Sequence, residues 1–87
     1  MPNVRVTLTK AAAEEFDELP LTMKLRVLRV LERLEHWPEV SGSKALRGVL
    51  SGQYRIRTGN WRVRFTVRDG SLVVLHIGHR DGHYESS

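Results

Sequence analysis

Residues 54–77, YRIRTGNWRVRFTVRDGSLVVLHI, are three runs of alternating character broken by Thr58-Gly59-Asn60 and Asp69-Gly70. Gly-Asn and Asp-Gly supply the positive φ angles that two-residue hairpin turns require. Strands joined this tightly pair antiparallel with their sequence neighbours, so the stretch predicts a three-stranded antiparallel meander, preceded by a break at Ser51-Gly52. LVVLHI is apolar on both alternating faces and is expected to be its best-buried strand. His76, inside that strand, reads as a polar group satisfied within the core.

The upstream half carries the other elements. NVRVTLT alternates, with Val4, Val6 and Leu8 on one side and Arg5, Thr7 and Thr9 on the other, the pattern of a half-buried strand. Thr9 can cap a helix over KAAAEEFDEL, which stops before Pro20 and places Ala12, Phe16 and Leu19 on one face. LTMKLRVLRVLERLEHW, between Pro20 and Pro38, predicts the longest helix. Its main stripe is Met23, Val27, Val30, Leu31, Leu34 and Trp37, and Leu21, Leu25 and Leu28 form an adjoining flank. The stripe is expected to cover the sheet and the flank to pack on the first helix; left exposed, the flank would be a groove for a partner. His36 suits the favourable position of a basic group at a helix C-terminus. PEVSGSK is a loop and HYESS a tail. The expected architecture is α+β, in a single domain over residues 1–87: an N-terminal strand, an αα-hairpin and the meander, with both helices on one face of a four-stranded sheet.

Composition narrows the function. With 87 residues, 40% of them hydrophobic, the chain can bury one modest core. It has no cysteine, which removes disulfide and thiolate chemistry. No run approaches the roughly 20 apolar residues of a membrane span, and the first ten residues lack the apolar core of a signal peptide. A cytoplasmic location is expected. The net charge of +4 is unevenly spread. Met1–Ser43 has six Lys/Arg against seven acidic residues, a balance of −1, while Lys44–Ser87 has eight against three, a balance of +5. A basic half on an otherwise balanced chain is the footprint of a polyanion partner, nucleic acid before membrane surface.

Alternation decides where that charge points. Arg55 and Arg57 share a face opposite Tyr54 and Ile56, and Arg62, Arg64 and Arg68 lie opposite Trp61, Val63, Phe65 and Val67. Like charges facing each other across strands destabilise a sheet, so an anion is the expected missing member. Arg64 and Arg68 by themselves also fit solvated charges that discourage edge association. The last strand ends in GHRDGHY, bringing His79, Arg80, His83 and Tyr84 toward the same sheet end. Arginine offers phosphate a planar fork of donors and keeps its charge at neutral pH, while Tyr84 and the histidines can move a proton. The four histidines lack metal-ligand spacing, and the chain contains neither a Gly-rich phosphate loop nor a Ser/His/Asp pattern.

KALRG, YRIRTGNWRVRFTV, DGSLVVLHIGHR and the late Tyr84, in that order, resemble the RelE/ParE superfamily of toxins from type II toxin–antitoxin systems, and the likeness in layout spans the whole chain. The resemblance implies a RelE-like fold and a ribosome-dependent endoribonuclease that cleaves mRNA by attack of the 2′-hydroxyl on the adjacent phosphate, without metal or cofactor. Its implied partners are a cognate antitoxin, the ribosome and mRNA, with a toxin–antitoxin hetero-oligomer on operator DNA. Its implied catalytic set is Arg55, Arg57, Arg62, Arg80 and Tyr84. Arg62 and Arg80 would stabilise the phosphorane, Arg55 and Arg57 would hold phosphate and tune the nucleophile, and Tyr84 would orient or shuttle a proton. Lys44, Arg47, Arg64, His79 and His83 are expected to contact RNA.

Some members of the superfamily carry lysines where this chain has Arg55 and Arg57. Arginine, which stays protonated far above neutral pH, is a poor general base, which leaves His79 or His83 as alternative proton carriers. A ParE-like toxin that inhibits DNA gyrase without cutting RNA is the alternative reading. A non-catalytic nucleic-acid-binding module is a third; it lacks exposed aromatics, because Trp61 and Phe65 fall on the apolar side.

Overall fold

A computed structural model describes residues 3–79. Strand β1 (Arg5–Leu8) runs into helix α1 (Lys10–Asp17), and helix α2 (Leu21–Leu34) follows. A two-residue strand β2 (Lys44–Ala45) and a 3-10 turn over Gly48–Leu50 lead to β3 (Gln53–Thr58), β4 (Trp61–Arg68) and β5 (Ser71–His79). The sheet order is β1-β5-β4-β3-β2. β1 pairs with β5 in parallel, and every other pairing is antiparallel. The expected meander is present, but the sheet has five strands where four were expected. The loop after Pro38 supplies the extra one by pairing Lys44 with Arg55 and Ala45 with Tyr54.

Both tight turns adopt the conformations their residues favour. Asp69 and Gly70 have φ of 51° and 79°, the type I′ pattern, while at the other turn only Gly59 is positive, at 61°, as in type II′. Thr9 caps α1 by accepting the Ala12 N–H at 3.1 Å. Pro20 precedes α2, where its missing N–H costs nothing, and its carbonyl accepts from Met23 and Lys24 at 2.9 Å.

The core lies between the helices and one sheet face. Ala12 comes from α1 and Leu19 from the turn that follows it, Val27, Val30 and Leu34 from α2, and Ile56, Val63, Phe65, Leu72, Val74 and Ile77 from the strands. Helix α2 ends at Leu34, earlier than the sequence pattern suggests, and Trp37 reaches the core from the following turn. Its ring meets Tyr54 and Phe65 edge-on at 4.7 and 5.4 Å between centroids. The expected packing of the second apolar flank on α1 does not form. Leu21, Leu25 and Leu28 are 72%, 51% and 42% exposed, because the stripe on the other side of α2 docks on the sheet and turns this flank to solvent.

Candidate functional site

The sheet face away from the helices carries the arginines. Register pairs Arg55 with Arg64 and Arg57 with Arg62. In a two-residue hairpin the pair flanking the turn, here Thr58 and Trp61, exchanges hydrogen bonds. Counting back, both arginine pairs fall at non-hydrogen-bonded positions, where facing Cα atoms come within about 4.5 Å and side chains are closest. The four arginine side chains therefore form a quartet on one surface. The row continues on both sides: Lys44 faces Arg55, and His76 faces Arg64. In the adjacent row Gly78 faces Arg62 and adds no side chain, so that end of the quartet is open.

At Arg55 the electrostatics are unfavourable. Partial burial, and then the neighbouring Arg57 and Arg62 charges, lower the pKa of Arg55 below its ordinary value. The Nε of Arg62 is buried without a hydrogen-bond partner among the described residues. Arg64 sits on β4, an interior strand between β5 and β3, so it is not the edge charge that its sequence context also allowed. Arg47 is exposed, immediately before the 3-10 turn and beyond the short β2.

A β-bulge in β5 decides which histidines join this surface. Phe65 faces Val74 and Arg64 faces His76, so Leu75 is an extra residue. One inserted residue reverses the face of everything that follows it. His76, expected in the core, instead lies on the arginine side with its side chain 40% exposed. His79, expected beside the arginines, is a correction in the opposite sense. It faces Trp61 on the helix side, with the two rings edge-on at 5.1 Å, in a cleft that also includes Glu15, Glu18 and Leu19. The sequence signal for this exchange is weak, since an apolar run that alternates on neither face does not reveal a phase shift.

Thr9 and Glu15 secure the bulge. Strand β1 stops beside Val74, and the chain turns into α1. The Thr9 N–H donates to the Val74 carbonyl at 3.0 Å and its hydroxyl to the Leu75 carbonyl at 3.3 Å. Glu15 reaches from α1 to the exposed edge of β5, where Oε1 accepts the Ile77 N–H at 2.7 Å and Oε2 lies 3.5 Å from Nδ1 of His76. Among the described residues, no group of three or more His, Asp or Glu side chains could hold a metal ion. Arg80, His83 and Tyr84 lie outside the described residues. No helix among the described residues is long and apolar enough to cross a membrane.

Comparison with known proteins agrees with this architecture. The model of the ParE toxin family, described as the ParE toxin of the type II toxin–antitoxin system parDE, matches residues 6–84. The toxin in the RelBE2 toxin–antitoxin complex from Mycobacterium tuberculosis superposes with a TM-score of 0.80 at 26% identity, covering 94% of this chain and 97% of that one. The archaeal RelE–RelB complex from Pyrococcus horikoshii gives a TM-score of 0.75 at 27% identity, with 93% and 99% covered. The isolated Escherichia coli RelE toxin shares the fold, with a TM-score of 0.77 at 19% identity and coverage of 93% and 88%. Among curated proteins compared by sequence, none matches significantly. The chain belongs to the ParE toxin family, within the RelE/ParE superfamily of type II toxin–antitoxin toxins.

Proposed function

We propose that this toxin is a RelE-type endoribonuclease that cleaves mRNA on the ribosome and is held inactive by a cognate antitoxin. The observation that carries the reading is the quartet Arg55, Arg57, Arg62 and Arg64 on the open sheet face. Four permanent cations at the closest cross-strand spacing oppose folding, and a phosphodiester converts that repulsion into binding. The open position beside Arg62 gives a scissile phosphate room to approach. In this scheme Arg62 and Arg80 stabilise the phosphorane, Arg55 and Arg57 hold the flanking phosphate charge, and Tyr84 orients or shuttles a proton. Donors placed where negative charge develops act without reorganisation during the reaction.

The antitoxin assignment is supported by the neighbours from M. tuberculosis and P. horikoshii, which are toxin–antitoxin complexes. An acidic segment laid over the quartet would satisfy it and exclude RNA. The description of the matching family model as ParE favours a second reading, inhibition of DNA gyrase without RNA cleavage.

Primer extension on a reporter mRNA in a reconstituted translation system, with and without ribosomes, separates the two. Ribosome-dependent cuts are expected from the wild type and should fall about 10²–10³-fold in Arg62→Ala and Arg80→Ala. Intact mRNA together with inhibited gyrase supercoiling would overturn the RNase reading in favour of the second.

A further inference from the structure

The arginine quartet is suited to holding phosphate but contains no group that can accept a proton at neutral pH. The bulge in β5 brings such a group to its border. We infer that His76, oriented by Glu15, is the general base that takes the proton from the ribose 2′-hydroxyl, an assignment that rests on the endoribonuclease reading above.

Three features of the geometry point to it. His76 faces Arg64 across β4 and β5, next to the row in which Gly78 leaves space beside Arg62. Its side chain and that of Glu15 are 40% and 38% exposed, so the imidazole is reachable from solvent. Glu15 is itself anchored, because Oε1 holds the backbone N–H of Ile77 at 2.7 Å and turns Oε2 toward Nδ1 of His76 at 3.5 Å. A carboxylate at Nδ1 selects the tautomer with the proton on Nδ1, which leaves the lone pair on Nε2. Catalytic hydrogen bonds are often long before substrate arrives, and this spacing suits a contact that tightens as the imidazole gains charge. Among the described residues, His76 meets the charges of Glu15 from α1 and Arg64 from β4, with Arg62 one row further along.

The step balances without a metal or cofactor. Nε2 removes the 2′-hydroxyl proton, O2′ bonds to the adjacent phosphorus, and the bond from phosphorus to O5′ breaks. A 2′,3′-cyclic phosphate remains on one fragment. The departing 5′-oxygen takes a proton from solvent water, and the imidazolium returns its own to solvent. His76 is then a catalytic residue, whereas Glu15 acts through it and is a positioning residue.

The test is single-turnover cleavage of ribosome-bound mRNA by the full chain. His76→Ala and His76→Gln are each expected to lower the maximal rate about 10²–10⁴-fold, the usual range for a positioned base, with half-saturation changed less than about threefold. Free imidazole should restore part of the rate to His76→Ala and none to His76→Gln, whose amide fills the site. Glu15→Gln keeps an acceptor for Ile77, so its thermal midpoint should hold while its rate falls about tenfold. That loss should vanish when Glu15→Gln is combined with His76→Ala, a coupling that a purely structural role would not produce. Cleavage by both His76 variants within about threefold of wild type overturns the assignment and leaves the RNase reading standing. A rate loss matched by an equal loss of binding, without imidazole rescue, also overturns it. A wild type that cuts no RNA overturns both.

Discussion

The backbone N–H of Ile77 donates to Oε1 of Glu15 at 2.7 Å, joining helix α1 to the edge of β5 just past the point where β1 ends. Without this contact the edge would leave an unpaired N–H on a residue that is only 2% exposed. The carboxylate closes the edge in place of a longer first strand.

Replacing Glu15 with Ala is therefore expected to cost about 1–3 kcal/mol, the usual price of leaving a buried donor without its charged acceptor. Glu15→Gln should recover most of that loss. Urea unfolding of the three proteins checks it, and an alanine variant as stable as wild type would show that water serves Ile77 equally well.

The like charges crowding Arg55 predict stabilisation by deletion. Arg55→Gln should raise stability by about 0.2–1 kcal/mol at low salt, the scale of a cross-strand charge pair, and the gain should shrink as salt is added. pH does not substitute for salt here. The pKa of Arg55 is lower in the folded chain, so the unfolded chain binds more protons only in strongly alkaline solution, and stability rises with pH only there. At neutral pH the group is charged in both states and its penalty is constant. Denaturation midpoints at low and high salt, across neutral pH, measure both statements.

RNA binding should respond to the same charges in the opposite sense. For single-stranded RNA, each phosphate contact removed is expected to flatten the slope of log K against log salt by about 0.7. Arg57→Ala should show this change, and Arg68→Ala, nearer the other hairpin, should show less. Equal slopes for wild type and both variants would mean that the quartet does not touch phosphate.

The two apolar sides of α2 should differ sharply in stability. Leu34 is fully buried and Leu25 is half exposed. Leu34→Ala is expected to cost about 2–5 kcal/mol, and Leu25→Ala no more than about 0.5 kcal/mol. Equal losses in calorimetry would mean that the Leu25 side is covered in solution.

Much of this molecule is local and therefore legible in its residues. Alternation placed Arg55, Arg57, Arg62 and Arg64 on one face, because side chains along a strand have a period of two and the Gly59-Asn60 turn pins the register. Asp69-Gly70 defined the next hairpin for the same reason, and Thr9 was recognisable as a helix cap because a hydroxyl beside free N–H groups acts within one turn. The tertiary structure decided what depends on distant neighbours. A two-residue strand at Lys44–Ala45 is too short to carry a pattern and exists only because β3 offers it an edge. The exchange of His76 and His79 across the sheet follows from one extra residue at Leu75. Nothing in VVLHIGH marks that residue; the bulge is held by Thr9 and Glu15, more than 60 positions earlier in the chain.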